Sequence, residues 1–412
     1  MSWPTYALDE LGTVSRGRSR HRPRDAEHLY GGAFPFIQTG DVKAAPMYLK
    51  SFSQTYSEAG LAQSKMWPKG TLCITIAANI AETCILDIEA CFPDSIIGFV
   101  ADSEKADTKF IKYQFDAIMR EQMRRVSQGA AQDNLSQAKL LSFHFPVPDL
   151  PTQKRIAGVL SAYDDLIENN RRRLALLEQA ARILYREWFV HFRFPGFETA
   201  KFVDGLPEGW THELLSDLCT EGDGIQTGPF GSQLHQSDYT DEGVPVVMPK
   251  NMKSGKVDCD GIARIPEALA DKLGRHRMLP GDTVFGRRGE IGRKAFIGEN
   301  QRGFFCGTGC LRMRPIPGKI DPRYLFETLG SPATAGFIVN QAKGSTMPNL
   351  SAGALKNVPI LCPPNDIQVE YVEKSAPIFE QIEILDRKNQ ELAKARDLLL
   401  PRLMDGRLPI PE

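Results

Sequence analysis

Residues that favour burial recur in alternating steps of four and three along two stretches of this chain. In the first, Ile156, Leu160, Tyr163, Ile167, Asn170, Leu174, Leu177, Ala181, Leu184 and Trp188 keep that alternation without a break. A mean step of 3.5 residues holds one stripe of a helix toward a partner, so the pattern predicts a long helix whose coiled-coil seam is interrupted by the polar Asn170. The second stretch repeats the spacing at Tyr371, Ser375, Ile378, Ile382, Leu385, Asn389, Leu392, Arg396, Leu399 and Leu403. Its seam is less purely apolar, and Pro377 is expected to start or kink the helix near its beginning. Helices of this length reach about 50 to 60 Å at 1.5 Å per residue, enough to bury their seams against each other. The alternative is that each stripe packs only on its own domain. Asn170 and Asn389 are not equivalent in the two stretches, so they are read as register-setting residues that need not face each other directly.

Elsewhere, short Val, Ile and Phe runs broken by Gly and Pro predict strands at 72–76, 96–100, 244–248, 283–285 and 295–297. Helical stretches at 108–125 and 322–341 complete an α+β pattern without Rossmann-type alternation. The chain is also written twice. Trp3, Leu8 and Leu11 match Trp210, Leu215 and Leu218. Phe34-Pro35-Phe36-Ile37 matches Val244-Pro245-Val246-Val247, and Asn79-Ile80-Ala81 matches Glu290-Ile291-Gly292. Gly129 with Asn134-Leu135-Ser136 matches Gly344 with Asn349-Leu350-Ser351. The offset runs from 207 residues at Trp3 to 215 at Gln153, whose counterpart is Gln368. The expected organisation is a globular region at 1–150, a long helix at 151–193, a linker at 194–209, a second globular region at 210–364 and a second long helix at 365–412.

Composition narrows the function. The 412 residues carry 50 Lys plus Arg against 51 Asp plus Glu, a net charge of -1, which argues against a uniformly basic nucleic-acid coat but leaves room for local basic patches. No apolar run approaches the length of a membrane span and no secretory leader is visible, so a cytoplasmic protein with no membrane partner is expected. The eight cysteines form no C-x-x-C pair, and Cys306 with Cys310 is read as a pair of buried thiols rather than a metal site.

A P-loop and an H-E-x-x-H signature are both missing. Cys362-Pro363-Pro364-Asn365 shares only its central Pro-Pro with an amino-methyltransferase tetrapeptide and is read as a helix boundary. No catalytic or metal-binding residue is assigned. What stands out is positive charge on loops. Arg16, Arg18, Arg20, Arg22 and Arg24 crowd one segment, and Arg287, Arg288, Arg293 and Lys294 bracket a Gly-rich turn. Such groups neutralise phosphates, and arginine reads guanine bidentately. Gln226, Thr227, Lys250, Asn251, Lys343, Ser345 and Thr346, on small polar loops, complete the candidate DNA contacts.

These residues carry a resemblance to the specificity (S) subunits of Type I restriction-modification systems. It rests on Leu206-Pro207-Glu208-Gly209-Trp210, Pro245-Val246-Val247 with Lys250-Asn251-Met252, and Pro280-Gly281-Asp282-Thr283-Val284 with Gly289-Glu290-Ile291-Gly292. Pro151-Thr152-Gln153-Lys154-Arg155-Ile156 and Asn349-Leu350-Ser351 continue it, over nearly the whole chain. The resemblance implies two target-recognition domains in a pseudo-twofold arrangement, separated by two long antiparallel coiled-coil helices. Each domain would read half of a bipartite, non-palindromic site in double-stranded DNA. Two methyltransferase (M) subunits, and restriction (R) subunits through them, are the implied protein partners. S-adenosylmethionine and ATP would belong to those partners, with no cofactor in this chain. The helix-helix spacer would be Ile156, Leu160, Tyr163, Ile167, Leu174, Leu177, Leu184, Ile378, Ile382, Leu385, Leu392 and Leu399. Two other readings, a self-sufficient DNA-modifying enzyme and a pseudo-symmetric protein scaffold, remain as rivals. The first copy departs from the pattern, since Asn79-Ile80-Ala81 lacks the glycines of its counterpart.

Overall fold

The computed structural model describes residues 3–45, 47–77, 79–127, 136–230, 233–288, 291–341 and 349–408. Of the repeated residues, Gly129, Asn134, Leu135, Glu290 and Gly344 lie outside these ranges. The chain divides into two compact units, residues 1–176 with 383–412 and residues 177–382. Both units draw on both long helices, Leu150–Phe189 and Asn365–Met404, each of 40 residues. Every seam position read from the sequence is buried or half-buried. Pro377 does not start the second helix, which begins at Asn365 after Pro363-Pro364 and runs through it. A proline inside a helix removes one N–H donor and crowds the preceding turn. Burial of Tyr371, Ser375 and Ile382 on the same face offsets that loss.

In the first unit, a five-stranded sheet runs in the order Gly12–Arg16, Ile96–Ala101, Leu72–Thr75, Thr83–Leu86, Tyr48–Leu49. Its core joins Leu72, Ile74, Phe99, Phe110 and Phe145 to Ile156 and Leu160 of the first long helix and Leu400 and Leu403 of the second. In a smaller sheet, Tyr30–Phe36 pairs antiparallel with Gln54–Tyr56 and parallel with Ala90–Cys91. Asn170 Nδ2 donates to Asn389 Oδ1 at 2.9 Å, and Arg396 is ion-paired with the buried Asp164. The two asparagines therefore face each other directly, although they are not equivalent in the two stretches. As the first helix advances from 164 to 170 the second retreats from 396 to 389, and in such antiparallel pairing inequivalent positions meet.

The second unit repeats the plan. Ile225–Thr227, Cys310–Met313, Thr283–Gly286 and Lys294–Phe296 form its larger sheet in that order. Val244–Val247 pairs antiparallel with Arg264–Ile265 and parallel with Phe305–Cys306, matching the mixed pairing in the first unit. Small devices recur too. Ser136 and Ser351 each cap a short helix through the side-chain oxygen. Gln153 accepts from Asp107 N at 2.9 Å while Gln368 accepts from Asp321 N at 2.9 Å, and both glutamines are buried. The helix expected over 322–341 is two, Pro322–Leu329 and Pro332–Gln341, because Gly330 closes the first and Pro332 opens the second. The core gathers Trp188, Phe189, Trp210, Tyr324 and Tyr371. Residues 194–209 are more than a tether: Phe194 is buried 5.1 Å from the Trp210 ring, and Phe202–Val203 pairs with Leu206–Pro207.

Among the described residues no helix is long and apolar enough to cross a membrane. Cys306 and Cys310 are buried, and burial pushes the Cys306 thiol up to about 12.

Candidate nucleic-acid interface

In the first unit the chain leaves the strand Gly12–Arg16, at the end of its sheet, into the arginine-rich loop. Gly17 is required there, since a Cβ would collide with the carbonyl oxygens of Phe92 and Pro93. The loop is mounted on residues 63–64. Gln63 Oε1 accepts from Arg20 N at 2.6 Å and His21 N at 3.0 Å, and Ser64 Oγ donates to Arg18 O at 2.7 Å. Arg18 returns its Nε and Nη2 to Ser64 O. Arg16 Nε donates to Asp94 O at 3.0 Å, and Arg24 Nη2 meets both carboxylate oxygens of Asp94 at 2.9 Å. Arg22 Nη1 lies 2.8 Å from Ser19 O and from His21 O. Beside the loop, Lys65 sits 3.7 Å from the Trp67 ring centroid and donates to Ser15 Oγ.

In the second unit Gln226 and Thr227 are half-buried on the corresponding strand, Ile225–Thr227. Gly228 takes the place of Gly17, with a Cβ there colliding with Gly307 O, and Phe230 is 52% exposed. Arg287, just beyond the strand Thr283–Gly286, is buried. Its Nε and Nη2 donate to Asn349 Oδ1 at 3.3 and 3.2 Å, and its guanidinium carbon is 5.3 Å from the Phe230 ring centroid. Burial and the adjacent Arg288 guanidinium lower its pKa. Arg288 and Lys250 are exposed and Arg293 is half-buried. Lys294 donates to Phe326 O with its ammonium 3.7 Å from the Phe326 ring centroid, and burial lowers its pKa to about 8 against the opposing Glu327 carboxylate. Asn251 is buried, accepting from Met248 N at 3.1 Å and donating to Asp258 O at 3.3 Å. Asn251 and Lys294 are thus committed to the protein's own main chain. Lys343, Ser345 and Thr346 lie outside the described residues.

Strand register shows how these groups correspond. Arg16 pairs with Ile97 and Thr227 with Leu311, each on the neighbouring strand of its own sheet. Gly17 N donates to Ile96 O at 2.9 Å as Gly228 N donates to Cys310 O at 3.0 Å. One loop later, Ile76 N donates to Ser95 O and Arg287 N to Gly309 O, both at 2.9 Å. The arginine-rich loop therefore stands where the second unit has residues 227–230, and Arg287 stands where the first unit has the buried Ile76. The missing glycine of the first copy is absorbed locally: Ala81 adopts φ 65°, where Gly292 has φ 106°. One fold presents the same two loops twice, with cationic chemistry on the first loop of one unit and the second loop of the other.

The cations are legible in the sequence, but their mounts are not. Gln63, Ser64 and Asp94 lie far from the arginines in the chain and carry no local signal. Asn349 is marked in the sequence by the repeat and the family resemblance but not as a partner of Arg287, and Phe230 carries no signal of its own there.

Known proteins resemble this chain in sequence and in fold. A family model, described as the Type I restriction modification DNA specificity domain, matches residues 2–179 and 238–394. The chain is 24% identical over 422 residues to the Type I restriction enzyme MjaIX specificity subunit of Methanocaldococcus jannaschii, covering 100% of this chain and 94% of that one. It is 20% identical over 413 residues to the EcoBI specificity subunit of Escherichia coli, covering 96% and 84% of the two chains. The crystal structure of the Type I restriction-modification S subunit from M. genitalium shares the fold, with a TM-score of 0.61 at 14% identity, over 100% of this chain and 97% of that one.

Proposed function

The chain belongs to the Type I restriction modification DNA specificity family, and from that premise we propose that each of its units reads one half of a bipartite, non-palindromic DNA target. Membership places it as a recognition subunit rather than a catalytic one. The carrying observation is the repeated fold that offers chemically different loops at equivalent positions: unlike readers call for unlike half-sites. In this reading Arg16, Arg18, Arg20, Arg22, Arg24, Lys250, Arg288 and Arg293 contact DNA, with Gln226 and Thr227 beside them. Asn251, Arg287 and Lys294 hold the second unit's loops in shape. Phosphate contacts set the register and a few side chains read base edges.

The same proposal gives the chain two M subunits as partners, with R subunits joining through them, and assigns adenine methylation or cleavage, S-adenosylmethionine and ATP to those partners. A chain of net charge -1 neutralises few phosphates by itself, so tight DNA binding belongs to the assembled enzyme. The test is methyl transfer from labelled S-adenosylmethionine to target DNA. Transfer is expected only when M subunits are added to the purified chain. Transfer by the chain alone would overturn the assignment.

A further inference from the structure

The arginines of the 16–24 loop differ in how much of their donor fork remains unused. A guanidinium has five N–H donors in one plane, and bidentate recognition of guanine O6 and N7 takes two of them along one edge. Arg18 gives its Nε and Nη2 edge to Ser64 O. Arg22 places Nη1 between Ser19 O and His21 O, Arg24 places Nη2 on the Asp94 carboxylate, and Arg16 places Nε on Asp94 O. Each of these four is tied back to the protein through its head group, which fixes where positive charge lies.

Arg20 is built the other way round. Its side chain is exposed and its guanidinium has no partner among the described residues, while its main-chain N–H is held by Gln63 Oε1 at 2.6 Å. The next N–H, of His21, donates to the same oxygen at 3.0 Å, so the backbone is pinned on both sides of the Arg20 side chain. A pinned backbone beneath an uncommitted fork keeps every donor available and leaves only side-chain freedom to be lost on contact. Arg18, one step before the neighbouring Ser19, is likewise anchored, so Arg20 projects from a fixed rim.

We propose that Arg20 is the base-reading residue of this loop, donating bidentately to a guanine in the major groove of one half-site. Arg16, Arg18, Arg22 and Arg24 shape the loop and meet phosphates, and Gln63 is a positioning residue that acts through Arg20. The assignment rests on the DNA-recognition role proposed above.

The test uses the complete enzyme in cells: methylome sequencing of a host expressing the chain with its M subunits, in wild type and in Arg20→Lys, Arg20→Ala and Gln63→Ala forms. Arg20→Lys keeps the charge but loses the planar fork. One guanine position in one half-site should become degenerate in both Arg20 variants, with discrimination falling on the order of 10- to 100-fold, while the other half-site is unchanged. Gln63→Ala should relax the same position to a smaller extent. An unaltered motif in both Arg20 variants would overturn the proposal. So would a uniform fall in methylation with Arg20→Ala that Arg20→Lys restores, since that marks a phosphate contact, and so would relaxation at an A·T pair. Deleting the gene separates the two levels: if every methylation motif survives deletion, the recognition role itself fails, whereas loss of the motif on deletion together with an intact motif in the Arg20 variants refutes only this assignment.

Discussion

Asn170 donates its side-chain amide to Asn389 Oδ1 at 2.9 Å across the antiparallel seams of the two long helices. Asn170 is the polar interruption of the first seam, Asn389 joins Ser375 and Arg396 as a polar residue of the second, and each amide supplies what the other needs. A buried amide deprived of its partner costs about 1–3 kcal/mol. Asn170→Leu or Asn389→Leu alone should lower stability by about that much, while the double Leu variant regains most of it and loses register specificity. Equilibrium denaturation of the four forms measures this coupling; strictly additive losses would mean that the two amides do not interact.

Arg396 occupies a seam position because Asp164 receives it. Asp164 is 6% exposed and also accepts from Tyr113 Oη. Asp164→Ala would leave the half-buried Arg396 guanidinium with Asp397, which its Nε and Nη2 already meet at 3.0 and 2.9 Å, and should cost roughly 1–3 kcal/mol. Tyr113→Phe removes one hydrogen bond and should cost about 1 kcal/mol. Denaturant midpoints of the two variants would decide this, and equal small effects would show that the charge is not buried.

His276 gives the second unit a pH dependence. It is buried, and burial followed by the Arg275 and Arg312 charges lowers its pKa to about 4. The unfolded chain, titrating near 6.5, takes up that proton first as pH falls. Stability is therefore full above about pH 6.5 and is lost as pH drops toward 4, by on the order of 3 kcal/mol at most. His276→Gln should flatten the dependence of the denaturation midpoint between pH 6.5 and 4.5. An identical slope in both proteins would refute the assignment.

Arg287 and Arg288 are adjacent but should fail differently. Arg288 is exposed, so Arg288→Ala should weaken DNA binding by the assembled enzyme and reduce the slope of log K against log salt by about 1. Arg287→Ala should instead lower the melting temperature, because Asn349 and Phe230 lose their shared partner. Salt-titrated binding with parallel thermal melts checks both. A melting loss for Arg288→Ala equal to that for Arg287→Ala would contradict the distinction.

How much of this was legible in the sequence follows from the range of the interactions. Helical seams are written locally, so Ile156 to Trp188 announced themselves, and even Arg396 kept its place in the spacing although its partner did not show. The repeat was legible where Gln153 and Gln368, or Ser136 and Ser351, meet the same backbone demand twice, whereas the match of Gly17 to Gly228 rests on strand register. The helix break at Gly330 was missed because apolar spacing ran on past a residue pair that ends one helix and opens another. At the interface, the arginine run was plain, but its division into anchored and uncommitted side chains depends on Gln63 and Ser64, in the turn after the helix Glu58–Ala62, and on Asp94, in the turn before the strand Ile96–Ala101. Asn251 looked like a surface amide, and the turn Pro249–Asn251 instead aims it at Met248 N and Asp258 O.

The central claim, that two unlike units read two unlike half-sites, is tested most directly by methylome sequencing of a host with and without this gene. The account predicts that one bipartite, non-palindromic methylation motif disappears with the gene and returns when it is restored. Survival of every motif in the deletion, or loss of a palindromic one, would contradict it.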